Sequence, residues 1–371
     1  MNVKNFLVRN IKNSVGWTTN RKLVVFEVDD YGAIRIESKS TRDNLIAKGV
    51  KLRDNKFDYY DALEDHDDLQ ALFDTLNSVK DVHGKPAVFT ALSISANPDF
   101  DAIKASNFSS YQYELLTETW CKYRGYEAVP ALWREGIEKR LLVPQFHGRE
   151  HLNIKVLMEN LRNKDRETIL CFDHHSYGGI TAKPFPTIDY VAAFQFYVFS
   201  ENEALQEIIT DGLNCFEQVF GFRAKHFAAP GAREHRCLAP VLKRAGVNYL
   251  DTDMVNKEHQ GEGRYSLQYN YSGRRFGNNQ RYLIRNCVYE PTPGDNIDWV
   301  GYCMKQIEIA FFWNKPAIVS SHRVNFAGHI EPGHRTQGLA ELKRLLKSIV
   351  SRWPDVEFIT TSDLGDAMNN S

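Results

Sequence analysis

Short apolar, β-branched runs alternate with longer stretches of helical periodicity along nearly the whole chain, and this alternation sets the fold class. Leu23–Val28, Pro86–Leu92, Leu141–Phe146, Thr168–Phe172, Ala224–Ala229, Val247–Leu250, Tyr282–Asn286, Ala317–Ser321 and Val356–Thr360 read as strands. Between them, Glu64–Val82, Val129–Arg140, His151–Arg162, Asn202–Phe220, Glu234–Ala245, Asp295–Trp313 and Gln337–Trp353 carry helical spacing. Repeated βα units imply an α/β protein with a largely parallel sheet. Two stretches, Ser93–Tyr126 and Asp251–Arg281, show no clear period and read as long loop insertions bordering a site. No repeat or flexible linker divides the 371 residues, so a single barrel domain over 1–371, with a core of about 20–365, is expected.

Composition excludes several partners. The formal net charge is −1, from 46 basic and 47 acidic residues, which leaves no excess to neutralise nucleic-acid phosphates. No run approaches the roughly 18 apolar residues of a spanning helix, so no transmembrane segment is expected. Asn2–Asn13 has the pattern of a short amphipathic helix packed on the surface, without the unbroken apolar stretch of a signal peptide. Six scattered cysteines without a CxxC read as reduced, mostly buried thiols, and a cytoplasmic location is the expectation.

The chemistry sits where the apolar runs stop. Asp29-Asp30, His147, Asp173-His174-His175 and His322 each stand at the end of an expected strand. In a β/α barrel these ends share one face, so residues remote in sequence converge there. His147 and His151 are four apart, and on a helix that spacing places both imidazoles on one face, within reach of one metal ion. Alone, such a pair is as readily a strand-end turn with one capping histidine. Asp29-Asp30 changes the balance, because adjacent carboxylates at an apolar strand end repel unless a cation or hydrogen bonds offset the cost. One of the two completes a three-ligand site with the histidines, and the other stands ready as a general base. His322 is placed to protonate a leaving group. Asp173, His174 and His175 are expected to line the substrate cleft, and Arg149 and Glu150 to support the histidines from behind.

Asp-Asp-x-Gly after the first strand, HxxxH after a middle strand and a late strand-end histidine follow the order seen in the polysaccharide deacetylase family, carbohydrate esterase family 4, and the chain resembles a divergent member of it. The resemblance spans about residues 20–365 and implies a distorted (β/α)7 barrel. It assigns Asp30, His147 and His151 to the metal, Asp29 to the base and His322 to the acid. Pro230 and Gly231 match the substrate-contacting part of its third motif. Where that motif carries an arginine that orients the base, this chain has Ala228, and Arg223 and Arg233 are the candidates to replace it. Asp251-Thr252-Asp253 loosely matches the motif that tunes the acid histidine. The implied activity is hydrolytic removal of N- or O-acetyl groups from a saccharide, with a divalent ion, zinc fitting best. The alternatives are a carbohydrate-binding pseudoenzyme on the same barrel and a metal hydrolase acting on another bond.

Overall fold

The computed structural model describes residues 3–291 and 297–370, with side chains from residue 7 onward. Seven strand positions form the core: β1 (Lys22–Tyr31), β2 (Phe89–Ile94), β3 (Leu142–Gly148), β4 (His226–Phe227), β5 (Tyr249–Asp251), β6 (Gln280–Leu283, resumed at Cys287–Val288) and β7 (Ala317–His322). Neighbours pair in parallel in the order β6-β5-β4-β3-β2-β1-β7, and β7 then pairs with the second piece of β6. The two ends of the curled sheet are thus the two halves of one short stretch. Leu283 O accepts from Thr252 N, while Asn286 N donates to Ile318 O. The ring closes through the chain itself, and the distorted seven-stranded barrel expected from the sequence is the architecture observed.

Helices wrap the outside, among them α1 (Val3–Asn13), α2 (His66–Asn77), α3 (Val129–Glu138), α4 (Ile154–Arg162), α5 (Asn202–Phe220), α6 (Ala239–Arg244), α7 (Trp299–Phe312) and α8 (Pro332–Arg352). β1 shows how one strand serves both layers. Val24, Phe26 and Val28 point outward into the large core shared with the helices. Leu23 and Val25 point inward, where they pack with Tyr249, Leu283, Ile318 and the closing-helix residues Leu364 and Met368. That period of two is why both faces read as apolar. A last strand, Val356–Phe358, pairs with the lower part of β1.

Several expectations need correction. Thr168–Phe172 lies in a helix, Arg166–Phe172, capped by Asp165, so its β-branched content is overridden by the cap and by one-sided burial. His151 lies in the loop before α4, which begins at Ile154 under an Asn153 cap. The expected helix Asp295–Trp313 starts at Trp299, and its first two expected residues fall outside the described ones. The two long irregular stretches hold small antiparallel pairs, Ala96–Pro98 with Tyr113–Leu115 and Val255–Gly261 with Arg264–Tyr269. Asp251–Asp253 borders the main cavity, whereas Ser93–Tyr126 packs behind the His147 loop, Ser95 N donating to Gly148 O.

α8 presses on the turn that follows β7. A methyl group at Gly338 would stand 1.8 Å from Asn325 O, so the close approach requires glycine. Gly338→Ala is expected to lower stability by at least about 1–3 kcal/mol through overpacking, measured by denaturant titration.

Candidate functional site

The inward alternation of β1 continues past Leu23 and Val25 to Glu27 and Asp29, which enter the barrel near its upper mouth. β7 does the same with Ile318, Ser320 and His322, and its register sets Asp29 directly beside His322. Asp30 would point outward on a regular strand. It instead takes φ +78°, a left-handed conformation costing about 1–3 kcal/mol in a non-glycine residue, where the β1–β2 register shifts between Val28 and Tyr31. This kink turns the second carboxylate toward the histidines as well.

Asp30 Oδ1 lies 2.9 Å from His151 Nε2 and 3.5 Å from His147 Nε2. One ligand atom from each of the three residues falls within 4.8 Å of the others. His147 Nδ1 donates to Ala228 O at 2.7 Å, which leaves its Nε2 as an acceptor; among the described residues that buried atom has no hydrogen-bond partner. Gly148, at φ +126°, makes the turn from β3 into the loop, and a methyl group there would meet Glu150 O at 2.9 Å. Burial works to raise the Asp30 carboxyl, but His151 and His147 outweigh it and hold the group well below the ordinary carboxylate range. Burial lowers the His151 imidazole and Asp30 only partly restores it, which favours a neutral ligand. An ionised carboxylate, a lowered histidine and an orphaned buried imidazole nitrogen together fit a divalent cation.

Asp29 is held by an arginine, but not by either candidate from the sequence. Arg223 pairs with Glu217 on the surface, and exposed Arg233 donates to Ala232 O. The guanidinium comes from Arg285, at the break in β6. Its Nη1 and Nη2 donate to the two Asp29 oxygens at 2.6 and 2.7 Å, and Nε reaches Glu27 at 2.7 Å and Asp251 at 2.8 Å. Asp251 also meets His226 Nε2 at 2.8 Å. Glu27, His226 and Asp251 are close enough to hold an ion, but Arg285 already supplies the cation among them. Burial and Asp251 push the Glu27 carboxyl up to about 7, against the pull of Arg285 and His226. Both Glu27 and Arg285 continue inward alternations, from Val25 and from Leu283, and that period was the signal for them.

His322 Nε2 lies 3.7 Å from Asp29 Oδ2, and its Nδ1 donates to Glu290 at 2.6 Å. Burial would lower this imidazole, yet Glu290, Asp30 and Asp29 together raise it to about 9. Glu290 is in turn fixed by Lys56 and Asn325. The residue paired with His322 is therefore Glu290 rather than one from Asp251–Asp253, and no local pattern in the sequence marks it. Asp173, His174 and His175 do not join the site. They follow a helix instead of a strand and line a separate hollow with Glu37, Thr41 and Asn44. Gly231 borders the main cavity, and Pro230 packs against Gly148 from below. Arg149 and Glu150 pair with each other behind the histidines at 2.7 Å. The cavity over these groups measures about 580 Å³, with Phe57 set edge-on to His322 at 4.9 Å.

The fold and site define a seven-stranded β/α barrel with a two-histidine, one-aspartate cluster at the strand ends. No family model matches the chain, and no curated protein does. Solved structures that match include proteins described as polysaccharide deacetylases. One from Mycobacterium smegmatis has 12% identity and a TM-score of 0.47, with 96% of this chain and 93% of that one covered. Another from Pseudomonas aeruginosa has 10% identity and a TM-score of 0.49, with 95% and 92% covered. A family 4 acetyl xylan esterase from Clostridium thermocellum, solved with cobalt, has 11% identity and a TM-score of 0.37, with 92% and 90% covered. The family that the sequence resembles is thus represented among the structural matches, while the barrel assignment rests on the strand ring itself.

The cluster leads to a direct measurement. A His147→Ala/His151→Ala variant should lose one equivalent of bound zinc or cobalt that the parent retains after dialysis, with an unchanged circular dichroism spectrum. Equal metal content in parent and variant would remove the cluster as a metal site.

Proposed function

We propose that the protein is a metal-dependent hydrolase that removes acetyl groups from a saccharide. The observation that carries this reading is the pairing of Asp29 with His322 at 3.7 Å beside the Asp30, His147 and His151 cluster, inside one cavity. Asp30, His147 and His151 would hold the divalent ion, zinc being the best match to their nitrogen and oxygen donors. Such an ion supplies Lewis acidity, polarising a carbonyl and acidifying water. Asp29 takes a proton from the attacking water, and its bidentate pairing with Arg285 fixes the accepting oxygen toward the cavity. His322, protonated near neutral pH, donates from Nε2 to the departing nitrogen or oxygen, so the C–N or C–O bond breaks as the amine or alcohol leaves. Phe57 offers an apolar face beside that acid, of the kind a sugar ring covers. Arg285 supplies to Asp29 the guanidinium that Ala228 lacks, which supports turnover over a pseudoenzyme.

Metal-loaded protein is expected to release acetate from an acetylated oligosaccharide, with Asp29→Asn slowing turnover at least about 10²-fold, as loss of a general base does. Saccharide binding with no acetate from a broad panel, unaffected by Asp29→Asn, would overturn the enzyme reading in favour of a binding protein.

The acid gives a second expectation, in pH. His322 is held protonated up to about 9, so activity requiring it is present below that value and lost as pH rises through it. Glu290→Gln removes the largest raising influence on His322. The alkaline limb of the rate profile should move down by about 1–3 pH units, the usual effect of one adjacent opposite charge. An unmoved limb would remove His322 as the acid.

A further inference from the structure

Beside the Asp30, His147 and His151 cluster lies a second set of charges that the chemistry proposed above does not use. Arg323, Asp61 and Glu64 are each 1% exposed. Arg323 follows His322 directly, and the two carboxylates come from the coil before α2. The guanidinium donates from Nε and Nη2 to Asp61 Oδ1 at 3.1 and 2.9 Å, and from Nη1 to Glu64 Oε2 at 2.7 Å. One cation thus stands between two carboxylates, and Asp61 Oδ2 and Glu64 Oε1 have no hydrogen-bond partner among the described residues. Taking such groups out of water is costly, and apolar side chains of similar volume often serve stability as well or better, so stability alone does not call for them.

What these side chains hold is the turn after Asp30. Asp30 leaves β1 at φ +78° and Gly32 follows at +85°, so the chain turns sharply while still buried. Gly32 N donates to Glu64 Oε2 at 3.1 Å, and Ala33 O accepts from Arg323 Nη2 at 2.9 Å. Asn97, fully buried, accepts from Ile34 N at Oδ1 and donates from Nδ2 to Gly32 O, both at 3.0 Å. Ala33 N closes back on Asp30 O at 3.3 Å. Every peptide group from Gly32 N to Ile34 N is therefore engaged, all but one of them by a side chain remote in sequence. None of these four side chains lines the cavity.

We infer that Arg323 is a positioning residue that, with Asp61, Glu64 and Asn97, clamps the Asp30 turn so that its carboxylate faces both histidines, and thereby sets the affinity of the cluster for its metal ion. The inference rests on the reading of Asp30, His147 and His151 as metal ligands. An aspartate in a strained backbone conformation swings away when its turn is released, and groups that orient a ligand from behind are worth about 10–100-fold in metal affinity. The ladder that sets Asp29 beside His322 ends at that pair, and the bond from Arg323 to Ala33 O takes over one residue later. One guanidinium therefore ties the exit of β7 to the exit of β1, holding the proposed acid and the proposed ligand carboxylate in one frame.

The test is titration of the metal-stripped full chain with cobalt(II), followed by visible absorption, which reports ligand geometry independently of turnover. The parent should take up one equivalent. Arg323→Met/Asp61→Leu/Glu64→Met replaces the three charges together with apolar groups and should keep the parental circular dichroism spectrum. Its cobalt affinity should fall about ten-fold or more, with shifted absorption bands. Asn97→Ser removes the other clamp without touching the charges and should weaken cobalt in the same direction, so a triple variant that does not fold still leaves a reading. Glu64→Gln keeps an oxygen for Gly32 N and Arg323 while dropping the charge, and should bind like the parent. Folded variants with parental cobalt affinity and bands overturn the inference. So does a Glu64→Gln loss as large as that of the triple variant, which would assign the effect to charge instead of position. A parent that binds no cobalt overturns the metal reading itself, and this inference with it.

Discussion

One guanidinium makes the barrel interior tolerable. Glu27, Asp29 and Asp251 converge near the mouth, and without a cation between them their mutual repulsion and desolvation would oppose folding. Burial acts to lower Arg285, but it meets all three carboxylates, and they hold it well above its ordinary value and so ionised. The arrangement divides the interior into levels. Leu23, Val25, Tyr249, Leu283 and Ile318 fill the lower part, sealed by the closing helix. Glu27, Arg285 and Asp251 form a polar floor, tied to that helix by Thr361 Oγ1 donating to Glu27 at 2.9 Å. Asp29 and His322 stand on it, so their positions follow from a packed, hydrogen-bonded foundation rather than from loops.

The cluster of Asp30, His147 and His151 obeys a different logic. Asp30 and His147 come from β1 and β3, which are separated by β2 in the ring, and His151 comes from a loop. Bringing them together takes a strained φ at Asp30 and a glycine turn at Gly148. Strain of this kind persists only where surrounding structure enforces it. Here β1 is paired on both sides and nearly devoid of solvent contact, so the kink cannot relax without breaking ladder hydrogen bonds.

Much of this was legible in the chain, for physical reasons. Inward and outward faces of β1 and β7 are written in period two, and chemistry at strand ends is visible because an ionisable residue cannot end an apolar run without purpose. The βα alternation gave the barrel. What escaped was of two kinds. Arg166–Phe172 looks like a strand from its side chains, but an Asp165 cap and packing on one side make it a helix, and that error carried Asp173, His174 and His175 into a site they do not join. Glu290 and the geometry of His151 depend on loops whose course only tertiary packing fixes. Arg285 lay in between: its strand was recognised, but its facing was not read.

The break in β6 bears on how such a site can change over time. A barrel mouth is a circle, and a side chain long enough to cross its centre serves an opposite partner from any point on the rim. Arg285 approaches Asp29 from the seam of the ring, while Ala228 follows the strand after which an arginine was expected. A guanidinium on either stave can therefore serve Asp29 without disturbing its place beside His322. Linear motif order would read such an arrangement as a missing arginine, although the guanidinium stands elsewhere on the circumference. A comparison keyed to radial position, not to succession along the chain, would find the guanidinium at either place.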